Sequence, residues 1–376
     1  MKTRMGNILV GLGAMLMLSQ RGLGAPGDYI VTDLNCNCLR LVNPVTGAVS
    51  NFASGLVPAS YGVAVDASGN YVVTDAEGGR LLSVNRTNGA ASVVASNLNF
   101  PAALATDGAG DWVVTDGGAQ QFYLVDPATK FVTTNSTGAF GRSRGVAVDR
   151  VGNYILSGEQ PNTCAGGGTA YSLASVNGTN GGVTTVVRSS LGPGQCLPNQ
   201  DVGVPRGVAV DGSGNYIMTD SFGGRLFTVT PSGAATLIAG GLGNPNGVVI
   251  APNGNYIVTD SLNHRLLSVT PQGAVSTIAS NGLVSPFGVA VEPFPPARIT
   301  SIQRQGNNIR VTWALGGAGR SNALQRSVGN ASGGINPQNF VTVFMVTNVV
   351  GAVTNYLDTG AVTNARGGYY RVRVVP

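Results

Sequence analysis

The chain has 376 residues, of which 10% are charged and 56 are glycine, and it carries a formal net charge of +5. That length can bury a sizeable core, and a glycine-rich, charge-poor composition suits a turn-rich all-β protein. Three basic residues, Lys2, Arg4 and Arg21, fall in the first 24 positions; without them the 22 basic residues become 19 against 17 acidic, the charge falls to +2, and no nucleic-acid partner is supported.

The first segment, residues 1–24, reads as a secretory signal peptide: a basic start, an apolar stretch from Ile8 to Leu18, and a small-residue exit before Pro26. The apolar stretch is short for a membrane span, and no later segment offers one. The expected location is therefore secreted, extracellular or periplasmic. Disulfides are expected in such a compartment, with Cys164 and Cys196 as the pair because they bracket an insertion. Cys36 and Cys38, in "NCNC", could bridge only through a tight ring, and a metal or redox Cys-x-Cys is the alternative reading.

From Gly27 onward one phrase returns about every 40 residues. It reads "GDYIVTDLNCNCLRLVNP" from Gly27, "GNYVVTDAEGGRLLSVNR" from Gly69, "GDWVVTDGGAQQFYLVDP" from Gly110, "GNYILSGEQPNTC" from Gly152, "GNYIMTDSFGGRLFTVTP" from Gly214 and "GNYIVTDSLNHRLLSVTP" from Gly254. A "GVAVD"-like stretch precedes most copies. Each unit predicts four short antiparallel strands joined by Asp/Asn/Gly turns, which is a propeller blade. The last such stretch, "FGVAVE", ends at Glu292 with no unit of its own, and its pairing with the first "DYIVTD" would close the ring.

The stretches "GVAVDGSGNYIMTDSFGGRLFTVTPSG" and "NHRLL" resemble the NHL-repeat family of six-bladed propellers. The likeness covers residues 27–292 and implies an architecture rather than a reaction. Pro293, Pro295 and Pro296 mark a linker over 293–298. Beyond it, over 299–376, "NNIRVTWAL" and "NYLDTGAVTNARGGYYRVRVVP" resemble a fibronectin type III module, a small β-sandwich with Trp313 and Tyr369 or Tyr370 in its core. The fold class expected is all-β.

His264 is the only histidine, and sister copies place Gly79 and Gly224 at its position, which argues for a structural or surface role. Asp33, Asp75, Asp116, Asp220 and Asp260 end the second strands, and Asp66, Asp107, Asp149 and Asp211 end the first. The two sets therefore lie on opposite faces and read as loop and turn caps. Peptidyl-hydroxyglycine lyases resemble this fold but need several histidines. Gluconolactonase-like propellers hold a divalent cation such as calcium with acidic and Asn ligands. Such a metal-dependent lactonase or lyase is the alternative function, although the nonrepeating acids Glu77, Glu159, Asp201 and Glu292 form no local motif.

A more informative set precedes the first strand of each unit: Tyr61, Ala102, Arg144, Arg206, Asn246 and Phe287. These vary while their framework repeats, as expected of a ring that presents a composite binding surface around its channel mouth. Arg144 and Arg206 come from successive units and could share a carboxylate, phosphate or sulfate. The fourth unit breaks the refrain with Ser157-Gly158 followed by Glu159, and its insertion could wall a pocket. The sequence thus points to a secreted binding protein using Tyr61, Arg144, Arg206, Asn246, Phe287 and Glu159. Its partner would be a protein, a glycan or a small anionic ligand, with no cofactor.

Overall fold

The computed structural model describes residues 25–56, 59–118, 121–136, 141–160, 169–191, 202–293, 298–314, 321–328, 340–346, 353–359 and 368–375. The expected signal peptide, Cys164, Cys196 and most of the Pro-rich linker lie outside these residues.

Alternating apolar residues in runs of about five, each bounded by a Gly-containing turn, favour short strands over helices. Among the described residues they assemble into six four-stranded antiparallel sheets and two three-stranded ones, with one 3₁₀ turn at Leu34–Cys36. Within a four-stranded sheet the order follows the chain, as in Pro205–Val210, Tyr216–Asp220, Arg225–Val229 and Ala235–Ala239. The exception is the sheet that begins at Tyr29–Asp33. That strand pairs with Pro286–Val291 from the far end of the repeats, with Tyr29 opposite Val291 and Val31 opposite Val289. The expected joining of "DYIVTD" to "FGVAVE" is thus present.

The six innermost strands, among them Val63–Val65, Pro101–Thr106 and Arg142–Val148, touch one another in a closed ring. Second strands such as "YIVTD" at Tyr256–Asp260 are buried at every position because neighbouring sheets cover both faces. Fourth strands, on the outside, are largely exposed. The apolar clusters lie between sheets: Ile155 and Leu173 of one pack against Val208, Tyr216 and Met218 of the next. Each such fully buried side chain contributes about 1.5–3 kcal/mol.

The turns use the residues that their backbone requires. Asp66 Oδ1 accepts from the amides of Ser68 and Asn70, and Gly69 supplies a φ of +82°. Asp107, Asp149 and Asp211 repeat this arrangement, so this set of aspartates caps turns.

The C-terminal strands form sheets Arg298–Gln305, Asn308–Ala314, Val353–Asp358 and Val341–Val346, Ser321–Val328, Gly368–Val375. Both contribute to one core, in which Trp313 is fully buried with Val311 and Leu324 and Tyr370 packs against the cluster. The Tyr370 hydroxyl donates to Asp358 at 2.6 Å.

Candidate functional site

Where the inner strands begin, a repeated polar device joins one sheet to the next at five junctions. The Thr219 hydroxyl accepts from the Gly207 amide at 2.8 Å and donates to the Asn246 carbonyl of the following sheet at 2.7 Å. Thr259 does the same between Gly247 and Phe287, Thr74 between Gly62 and Ala102, and Thr32 between Gly288 and Tyr61. In the fourth sheet Ser157 replaces threonine and still donates to the Arg206 carbonyl. The glycine beside each joint is required by space. A Cβ on Gly247 would stand 2.5 Å from the Phe287 carbonyl oxygen, and one on Gly288 would stand 2.3 Å from that of Tyr61.

The strand-ending aspartates lie just outside this ring, and they are buried. Asp33 accepts from the Val284 and Ser285 amides, Asp116 from Asn99 and Phe100, and Asp260 from Gly243 and Asn244. Each carboxylate thereby pins the incoming connection that leads into its own sheet. Arg80, Arg225 and Arg265 pair with Asp75, Asp220 and Asp260 at 2.6–2.8 Å. Burial opposes ionisation of Asp260, yet donors from Asn263, Asn244, Gly243 and Arg265 prevail and hold its carboxyl below the usual range. His264 occupies the left-handed position that Gly79 and Gly224 fill elsewhere, with φ of 54° against 59° and 62°. Its Nδ1 meets the Val284 carbonyl, so its contact is with the backbone of a loop.

Because the carbonyls are held by the joints, the side chains of the residues preceding each glycine border the centre. There they surround a cavity of about 700 Å³ lined by Tyr61, Phe100, Arg142, Arg144, Arg206, Asn246 and Phe287, with backbone of the ring glycines. Five of the six residues singled out from the sequence therefore meet at one place. Phe100 and Arg142, each two residues before the rim position, belong to it as well. They were missed because the repeat alignment singles out one position per unit.

The sixth, Glu159, does not line the cavity. It accepts from Arg144 at 2.5 Å and stands 4.0 Å from Arg142, so it is a counter-ion behind the wall. Antiparallel register explains this, since Arg142 faces Glu159 directly across the strand pair. The side chain of Asn246 also differs from expectation. It is buried and its amide donates to the Asn244 carbonyl and the Ser261 hydroxyl, which leaves only Oδ1 unpartnered.

The lining is chemically divided. On one side Tyr61 packs edge-on against Phe287, with ring centroids 4.7 Å apart, and against Phe100 at 5.6 Å. On the other side lie the three arginines. Arg206 reaches across to place its guanidinium 5.4 Å from the Phe287 ring centre. Burial, and then the neighbouring charge of Arg144, push its pKa down to about 10. Among the described residues, neither carboxylate nor histidine lines the cavity. The described residues include one close group of metal-ligand type, Asp33 with Cys36 and Cys38, and the two sulfurs of that group stand at disulfide distance.

Residues 242–267 match the NHL repeat, a stretch that runs from the pinned connection through the inner strand to Leu267. Solved structures of similar fold support a propeller. One, described as a nidogen/laminin complex, is 15% identical with a TM-score of 0.58, covering 70% of this chain and 98% of that one. The chain carries an NHL repeat in a β-propeller. A second propeller of similar shape is virginiamycin B lyase from Staphylococcus aureus, 12% identical with a TM-score of 0.52, covering 78% of this chain and 92% of that one. At these identities the likeness is one of fold. Sequence comparison with curated proteins finds no match. In propeller terms, the cavity is the mouth of the central channel, and the recurring Thr, Gly and Asp, with Ser157 and Gly158 replacing Thr and Asp in the fourth sheet, form the hub around it.

Proposed function

We propose that this protein is an exported binding protein whose six-bladed, NHL-like propeller holds a protein or small ligand at the channel mouth, followed by a fibronectin type III-like sandwich. The observation that carries this reading is the contrast between hub and rim. The same hydroxyl-to-carbonyl joint recurs from sheet to sheet, while the side chains that border the cavity are Tyr, Arg, Arg, Asn and Phe. The joints use the backbone at Tyr61, Arg206, Asn246 and Phe287, and of these side chains only that of Asn246 is tied into the surrounding loop. Exposed Phe100 and half-buried Tyr61 and Phe287 offer the rigid aromatic area on which binding sites commonly rely. A propeller solved in a complex between nidogen and laminin supports a protein partner as one form of this function.

A cation-dependent lactonase or lyase would require carboxylates converging on the channel, and three arginines there disfavour a divalent cation. Export rests on the basic-apolar-small order of residues 1–24. The six-blade count is supported by the six four-stranded sheets, and the sandwich by the two sheets that share the Trp313 core.

The test is a thermal-shift screen of glycans, anions, peptides and cell-wall fragments, run on the wild type and on Arg144→Ala/Arg206→Ala and Phe287→Ala variants. A ligand at about 100 times its Kd stabilises by about 2.7 kcal/mol. Ligands that stabilise the wild type are expected to lose that effect in both variants. If every stabilising ligand acts equally on the variants, the mouth is not the binding face.

A further inference from the structure

The channel mouth contains more positive charge than its surroundings neutralise. Arg142, Arg144 and Arg206 line it, and Glu159 is the one carboxylate paired with any of them among the described residues. That carboxylate is held by Arg144, and Arg142 is the more exposed of its two partners. Arg206, near enough to Glu159 and Tyr171 to feel their charge but in no ion pair among the described residues, sets its guanidinium by the Phe287 ring and has a buried Nε with no acceptor. Buried donors of a charged group are costly to leave unmatched, so the site favours an acceptor that brings negative charge. The Arg144 Nε is likewise buried and unmatched, and both arginines line the cavity from successive sheets.

The opposite wall dictates the rest of the ligand. Phe287, Tyr61 and Phe100 form a continuous aromatic surface that begins where the Arg206 guanidinium ends. A simple inorganic anion would satisfy the arginine and leave this surface wet. A neutral ring would cover the surface and leave the guanidinium unmatched. A planar carboxylate fits the guanidinium fork, and a ring one or two bonds away then meets Phe287 and Tyr61.

We propose that the mouth binds a carboxylate joined by a short spacer to an aromatic ring, the carboxylate on Arg206 beside Arg144 and the ring against Phe287 and Tyr61. This rests on the reading of the mouth as the binding face. Such chemistry comes either as a free arylalkanoic acid or as the C-terminal aromatic residue of a peptide chain. A cavity of about 700 Å³ admits both.

Calorimetric titration of the full chain tests the proposal with N-acetyl-Gly-Gly-Phe as the free acid, its C-terminal amide, N-acetyl-Gly-Gly-Ala acid and 3-phenylpropionate. The phenylalanine acid is expected to bind at least about tenfold tighter than the amide and than the alanine acid. Arg206→Gln should erase the preference for acid over amide, and Phe287→Ala the preference for phenylalanine over alanine. Neither side chain forms a joint of the hub, and melting curves verify that the variants fold. Arg206→Lys, which keeps the charge without the fork, should retain part of the acid preference. Comparable binding of 3-phenylpropionate identifies a free acid as the source, and binding at least about tenfold weaker identifies a peptide terminus.

Equal binding of acid and amide by the wild type, or an acid preference that survives Arg206→Gln, overturns the proposal. If no aromatic acid binds while another ligand from the screen depends on the rim residues, this inference fails and the platform stands. If the rim variants alter no binding at all, both fail.

Discussion

Thr219 does with one hydroxyl what Thr32, Thr74 and Thr259 do at three other junctions between sheets. It accepts from an amide of its own sheet and donates to a carbonyl of the next, 27 residues further along. Valine has the same shape but neither function, so it would leave a buried amide and a buried carbonyl unmatched. Thr219→Val is therefore expected to cost about 1–3 kcal/mol, read as a lower midpoint in urea, whereas Thr219→Ser should recover most of the loss. Ser157, which fills this role in the fourth sheet, is the natural precedent for the serine. Rim residues behave differently at this scale. The Phe287 carbonyl holds the hub while its side chain faces the cavity, so Phe287→Ala should change binding far more than folding. An equal loss of stability in Phe287→Ala would show that the aromatic wall is structural.

Between elements, the seam where the first and second sheets meet buries an unusual polar group. Glu292 follows the closing strand Pro286–Val291 and is fully buried between the Tyr71 hydroxyl and the Arg86 guanidinium, with Asp28 nearby. Burial raises its pKa above 4.5, and the contributions of Arg86 and Tyr71 in the opposite direction do not offset it. A carboxyl whose folded pKa is raised contributes stability that is present below its unfolded value and is lost as pH rises through the folded value. The melting temperature of the wild type relative to Glu292→Gln is thus expected to fall as pH goes from about 4 to about 7. Paired melts at several pH values measure it. A difference that grows with pH would mean that the Arg86 pair outweighs burial.

At the scale of the molecule, closure is the decisive event, since Tyr29–Asp33 has an inner partner only when Pro286–Val291 arrives from more than 250 residues away. A chain ended at Ser285 would expose that edge and lose buried Val289 and Ala290 along with the Glu292 cluster. It is expected to be more than about 3 kcal/mol less stable than a chain ended at Pro293, and to self-associate in size-exclusion chromatography. Similar melting of the two would show that the ring does not depend on its closing strand. Closure, the turns, the strand order and the meeting of five rim residues were legible because they follow from a repeat whose period and phase are written in the chain. The spare strand "FGVAVE" announced its own partner. Charge placement was not legible in this way. Nothing in the sequence said that Arg144 would be held by Glu159, that Asn246 would turn into its own loop, or that Arg206 would be left facing Phe287. Repetition determines where each backbone segment lies, because every unit solves the same local problem of strand and turn. Which side chains pair across the mouth is decided between residues tens of positions apart, by distances that exist only once the ring has closed.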